Sequence, residues 1–447
     1  MGAPLTSDQA LGGVLDAAEN ASPLQAVEAV TDALAQSLGA SAVFFLIADI
    51  SGRGLVRLSH GESDEVLAGL GLGGLEGMPR LDDDEQAVVV PFDGGPAEEA
   101  LRTQTVQVLS PSQGQRPEGQ PARWVVLAPV TERGEVLGLL QLSMPTAPDA
   151  AALAQVSRLG HLLAFVVIAN RRHTDLFEWG QRSTVFTLPA EIQRRLLPAA
   201  FTCEAGAFTL SAWLEPAASV GGDTFDYCLS RDVLHLSLTD AMGHGVASAL
   251  TATLCVGSLR NTRRRGGTLL GQATAASLAL FEHASASGTE SFATGMLGRL
   301  DLRSGILAMV NAGHAAPYLC RQGTTTPVLL PVDVPFGMFA DTAYTSTDIP
   351  LQPGDRLVMV TDGMLERGAA TLDLIAEIAQ TRSLHPRETT RHLTDMVLAL
   401  SGGALADDAT LLVLDWHGAH GRNRVTSSGA EKLRASSAAD RTALSHG

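Results

Sequence analysis

Two stretches decide the fold: Leu234-His235-Leu236-Ser237-Leu238-Thr239-Asp240-Ala241-Met242-Gly243-His244-Gly245 and Arg356-Leu357-Val358-Met359-Val360-Thr361-Asp362-Gly363. In each, an apolar strand runs into an aspartate at the strand end, beside a turn. Three further segments join them: Val220-Gly221-Gly222-Asp223-Thr224-Phe225-Asp226, Asn311-Ala312-Gly313-His314 and Ala406-Asp407-Asp408-Ala409-Thr410. In the last the order reverses, the acidic pair preceding the strand Leu411-Leu412-Val413-Leu414.

Carboxylates at the ends of neighbouring strands converge on one point. Oxygen-only donors, without cysteine or paired histidine, suit hard ions such as Mg²⁺ or Mn²⁺ rather than Zn²⁺. Aspartates crowded together repel one another unless cations lie between them. Two such ions can activate water and clamp a phosphoryl group for in-line displacement. A single Asp beside Gly more often just caps a turn; that reading weakens when four segments repeat the pattern.

These segments, in this order, resemble the PPM (protein phosphatase 2C-like) serine phosphatases of the SpoIIE and RsbU branch. The resemblance covers about residues 185 to 416 and includes "LPAEIQRRLLP", "GGDTFDY", "DAMGHGVASALTATL", "PFGM", "LQPGDRLVMVTDGMLE" and "DDATLLVL". It implies an αββα sandwich and two Mn²⁺ or Mg²⁺ ions on Asp223, Asp240, Asp362 and Asp407. Asp240 would bridge the ions, the Ala241 carbonyl would add a ligand, and Asp408 and Asp226 would stand outside as second choices. Met242 and Thr224 depart from the family, which usually has a small residue and an aromatic there. His244 and His314 read as structural. The implied reaction is hydrolysis of phosphoserine or phosphothreonine by metal-activated water, with no phosphoenzyme. The implied substrate is a phosphorylated anti-sigma factor antagonist of the STAS fold. The rival reading is a pseudophosphatase scaffold, whose main role would be ligand sensing and partner binding.

Upstream, apolar positions recur at helical spacing from Leu24 to Leu38, and Gly39 ends that helix. Strands are expected at 42–47, 55–58, 124–130 and 136–142, with a turn at Glu132-Arg133-Gly134-Glu135 and a long helix from about Asp149. "ALAQSLGASAVFFLIAD" and "APVTERGEVLGLLQL" resemble a GAF domain over roughly residues 20 to 172. The resemblance implies a sensor with a small-molecule ligand, or dimerisation through its terminal helices. No cysteine precedes Cys203, which excludes a thioether-linked bilin there, and His60, His161 and His173 read as structural rather than as haem ligands.

The expected organisation is α+β: a flexible N-terminus (1–19), a GAF-like sensor (20–172), a rigid helical linker (173–198), a phosphatase domain (199–417) and a disordered tail (418–447). Leu188, Ile192 and Leu196 mark one face of the last linker helix, and Arg263-Arg264-Arg265 reads as an exposed helix end. The run Leu81-Asp82-Asp83-Asp84-Glu85 reads as a solvated loop.

Composition bounds the remaining classes. The 447 residues include 45% hydrophobic ones and carry a net charge of −17, which argues against disorder throughout and against nucleic-acid binding. Lys432 is the only lysine. The tail from Gly418 holds five basic and two acidic residues, a net of +3, so residues 1–417 carry −20. Four scattered cysteines without a CxxC pair suit a reducing cytoplasm. The start has no signal-peptide pattern, although Gly2 and Thr6 match the short N-myristoylation pattern, which often matches by chance. The longest unbroken apolar run, around 162–169, falls short of the ~20 residues of a membrane span.

Overall fold

The computed structural model describes residues 7–60, 75–76, 85–92, 94–111, 123–182, 186–217, 221–365, 373–403, 405–421 and 428–432. Gly2, Thr6 and most of the 81–85 acidic run lie outside the described residues. The chain forms two compact units, one of Met1–Val185 with Val425–Gly447 and one of Phe186–Arg424.

In the first unit, strands β1 (Ala42–Ala48), β2 (Gly54–His60), β3 (Leu75–Glu76), β4 (Glu85–Pro91), β5 (Gln107–Leu109), β6 (Trp124–Glu132) and β7 (Glu135–Met144) form one sheet. Its order is β3-β4-β2-β1-β7-β6-β5, and every pairing is antiparallel. Period-two alternation sorts its side chains. Val43, Phe45 and Ile47 of β1 and Val126, Ala128 and Val130 of β6 share a core with helices α1 (Ser7–Asn20), α2 (Ala26–Leu38) and α4 (Ala150–Asn170). Leu46, Val125 and Leu127 face the other way, onto α3 (Pro96–Thr103). The β6–β7 turn has positive φ at both Arg133 (44°) and Gly134 (82°), the hand that a tight hairpin requires.

Several expectations change here. The N-terminus is helical from Ser7, with Val14 buried in the first core, rather than flexible to residue 19. The helix at 150–173 is long and apolar enough to cross a membrane by length and composition; the unbroken run 162–169 understated it. Val156, Leu159, Leu163 and Val167 are nonetheless buried against the sheet. The connector is not one rigid rod. Thr174 is extended and its hydroxyl accepts the Leu176 amide, starting the separate short helix α5 (Leu176–Gly180), whose Leu176 and Phe177 are buried.

The second unit opens with α6 (Leu188–Leu196), whose Thr187 hydroxyl accepts the Ala190 amide as an N-cap. Leu188, on the face expected to pack, is exposed, and the one side chain of the helix that is buried is Gln193. Two antiparallel sheets follow. One orders β10 (Thr224–Ser230), β11 (Val233–Ala241), β12 (Ala293–Asp301), β13 (Ile306–Ala312) and β16 (Thr347–Pro350). The other runs β15-β14-β17-β18-β9-β8, using β8 (Thr202–Glu204), β9 (Phe208–Glu215), β14 (Tyr318–Arg321), β15 (Thr324–Pro327), β17 (Arg356–Val360) and β18 (Ala409–Trp416).

Leu236, Leu238, Met296, Met309, Leu357, Met359, Leu412 and Leu414 fill the space between the sheets. The alternate residues point outward. Ala241, Leu297 and Val310 meet α7 (Gly245–Arg264) and α8 (Leu269–Ser287). Val358, Val360, Leu411 and Val413 meet α9 (Leu374–Gln380) and α10 (Pro386–Leu400). The layers are helices, sheet, sheet, helices, with the core between the two inner faces.

Candidate active site

The same alternation builds the site. Phe225, Leu238, Met359 and Leu412 all belong to the inter-sheet core, and one pleat beyond each stand Asp223, Asp240, Thr361 and Thr410. At this end of the sandwich, polar groups therefore replace alkyl ones on four neighbouring strands. The Thr361 and Thr410 hydroxyls donate to the same Asp223 oxygen, Oδ2, at 2.8 and 2.6 Å. Gln193 Nε2 donates to the Asp223 carbonyl at 2.9 Å and to Asp408 Oδ2 at 2.6 Å.

Glycines let the backbone thread between these acids. A Cβ on Gly221 would sit 2.9 Å from both Asp407 Oδ1 and Asp408 Oδ2, and one on Gly222 would collide with Ser248 Oγ and the Ala241 carbonyl. Asp362 is exposed at the first residue of a 3₁₀ turn (Asp362–Met364) that leaves β17, and Asp407 is half-buried before β18.

The electrostatics are those of like charges held together. Burial first, then the Asp240 and Asp408 carboxylates, push the Asp223 carboxyl well above its usual range, against the pull of the two threonine hydroxyls. Burial also raises Asp407, with Asp362 adding to it while the Asp408 amide and His244 pull the other way. Among the described residues, no three His, Cys, Asp or Glu side chains stand close enough to hold one ion as they are oriented. The donor chemistry still fits a hard divalent cation. It offers carboxylate oxygens in two mutually repelling pairs, Asp223 with Asp240 and Asp362 with Asp407. It adds the Ala241 carbonyl, which accepts a long 3.3 Å bond from Ser248 Oγ.

The structure separates the two second-choice acids from this group. Asp408 spends its carboxylate on three donors, the amides of Ala217 (2.8 Å) and Gly221 (3.1 Å) and Gln193 Nε2, and so holds Ala217 and Gly221 in place. That occupies most of its acceptor sites, and a ligand role fits it poorly. Asp226 points to the helix side. Arg260 grips it through Nε and Nη2 at 3.1 and 2.9 Å, and Arg263 adds Nη1 at 3.0 Å. Arg263 is therefore part of an ion-pair cluster rather than an exposed helix end, while Arg264 and Arg265 are exposed. His244 is the exposed N-cap residue of α7.

Residues 230–417 match the family described as Stage II sporulation protein E (SpoIIE). The matched stretch lies within the C-terminal unit. Protein IcfG of Synechocystis is 23% identical to the chain over 255 residues, 50% of this chain and 40% of IcfG. The chain thus spans well under half the length of that curated relative. The RsbU and RsbW domains of Rv1364c from Mycobacterium tuberculosis are 24% identical, with a TM-score of 0.43 over 52% of this chain and 64% of that one. The SiaA-PP2C domain of Pseudomonas aeruginosa is 21% identical, with a TM-score of 0.43 over 51% of this chain and 93% of that one.

Three residues of the C-terminal unit that the sequence did not mark out now have roles: Gln193, Thr361 and Thr410. Each is polar yet buried. The usable signals were an amide inside the apolar spacing of α6, and a threonine at each junction of an inter-sheet strand with an acid. His314 is buried too. Its Nδ1 lies 2.8 Å from Thr294 Oγ1, and Thr294 pairs with Asp240 across β11 and β12. Burial lowers its imidazole to about 4, which keeps it neutral behind the site.

Proposed function

We propose that the C-terminal unit hydrolyses phosphoserine on a regulatory partner protein, a phosphorylated anti-sigma factor antagonist of the STAS type. Its catalytic centre would comprise Asp223, Asp240, Asp362 and Asp407. One observation carries the reading: four strands end their shared apolar face in Asp223, Asp240, Thr361 and Thr410, with Asp362 and Asp407 alongside. Two Mn²⁺ or Mg²⁺ ions bound by these aspartates and the Ala241 carbonyl would supply Lewis acidity for water and phosphoryl oxygen alike. The chain's own part is positional. Thr361 and Thr410 hold the Asp223 carboxylate, Gln193 holds its carbonyl, Asp408 holds Gly221 just before it, and His314 supports β12 behind Asp240.

In this reading the N-terminal unit is a GAF-like sensor, over residues 20 to 172, that binds a small molecule or dimerises and so controls the phosphatase, in the cytoplasm. The packing of the 150–170 helix within that unit supports a core helix rather than a membrane anchor.

The test is hydrolysis of a phospho-STAS protein and of a generic phosphate ester with MnCl₂. Asp240→Asn and Asp362→Asn should each lower turnover by about a thousandfold, the several kcal/mol that such an ion contributes. Unchanged turnover in both variants sinks the two-metal centre. A wild-type protein inactive on both substrates favours the scaffold reading.

A further inference from the structure

Ser428, Gly429 and Ala430 lie in the stretch expected to be disordered, yet Ser428 and Ala430 are 1% and 0% exposed. They belong to the N-terminal unit. The Gly429 carbonyl accepts the Gly134 amide at 3.0 Å, at the β6–β7 turn. Gly429 itself has φ 89°, and a Cβ there would collide with the Thr131 carbonyl and sit 2.6 Å from His161 Nδ1. A side chain at this position is thus barred twice, by backbone conformation and by space.

The walls are built independently of the segment. His161 Nδ1 bonds the Thr131 carbonyl at 2.8 Å, which fixes the α4 ring against β6. Thr131 Oγ1 donates to the buried Gln104 Oε1 at 2.8 Å. A glycine and an alanine bury too little apolar area to drive folding of a tail, so shape and a backbone hydrogen bond select this sequence.

We propose that the β6–β7 turn and the His161 flank of α4 form a peptide slot for a Ser-Gly-Ala sequence, filled in this protein by its own residues 428–430. Such a slot needs little intrinsic affinity. A tethered segment competes at an effective concentration of the order of millimolar, so a weak site stays filled in cis and can still be exchanged in trans. The occupant belongs to the N-terminal unit, although residues 186–424, which precede it in sequence, form the other unit.

Amide hydrogen exchange on the full-length protein tests this. In Gly429→Val the Gly134 amide should exchange at least about tenfold faster, while amides in the middle of α4 keep their protection. A synthetic peptide of residues 425–434 should then slow Gly134 exchange again in the variant, and the same peptide carrying Gly429→Val should not. Equal Gly134 exchange in wild type and variant overturns the slot. So does failure of the Gly peptide to restore protection, or equal restoration by both peptides.

Discussion

Asp223 and Asp226 stand three residues apart on one strand approach, yet the fold treats them in opposite ways. Asp226 faces the helices and is met by two arginines, Arg260 and Arg263. Asp223 faces the mouth of the sandwich, receives only hydroxyl donors on its carboxylate, and feels Asp240 and Asp408 as like charges. The same division runs through the unit. Asp415 is held by a buried arginine whose five N–H donors are all used: Arg356 bonds both Asp415 oxygens, the carbonyls of Thr381 and Leu384, and Thr389 Oγ1. Flank acids are neutralised by the chain itself. Asp223 instead meets hydroxyls and like charges, and that stored repulsion is what a cation would relieve.

The contrast can be broken most severely by removing a flank cation. Arg356→Met removes the guanidinium that grips the buried Asp415 and should lower unfolding free energy by about 3–5 kcal/mol in urea titrations. Asp223→Asn in metal-free protein should cost far less, since it also removes the repulsion with Asp240 and Asp408. Equal losses in the two variants would erase the distinction between flank and mouth.

A smaller effect comes from His314. Its ring titrates at about 4 in the fold, whereas an unfolded histidine takes its proton near 6.5. Between those values the unfolded state binds more protons, so this contribution is intact above about pH 6.5 and falls as the pH drops. The loss should reach about 3 kcal/mol by pH 4. An NMR titration of the imidazole placing its midpoint near 6.5 would remove this contribution.

Smallest is Gln193, which lies on the mouth side without being charged. Gln193→Ala strips one donor from Asp408 and one from the Asp223 carbonyl, and should cost about 1–3 kcal/mol by thermal unfolding. Calorimetric titration with MnCl₂ should also show weaker binding, which a purely structural loss would leave unaltered. Gln193→Glu, which sets a carboxylate against Asp408, should be worse on both measures.

What the sequence revealed followed from periodicity. The strands ending in Asp240 and Asp362 announce themselves because an apolar run stops at an acid beside a turn. The grouping of those acids was legible only through the motif set, since no single strand says which strands it will neighbour. Thr361, Thr410 and Gln193 stayed hidden for the same reason, because a lone hydroxyl or amide has no period. Asp226 and Asp408 could not be told from the mouth acids by type. Only the pleat, which turns Asp226 towards Arg260, and the amides that converge on Asp408 separate them. The break at Thr174 and the seating of residues 428–430 rest on single hydrogen bonds and small-residue fit, which leave no compositional trace.

The chain's one lysine, Lys432, is exposed and follows Ala430 by two positions. Amine-directed chemistry on lysine side chains therefore has a single address, immediately beside the seated segment. A dye coupled there needs no engineered cysteine, leaves Cys203, Cys255 and Cys320 buried and untouched, and rotates slowly or freely according to whether its neighbours are docked.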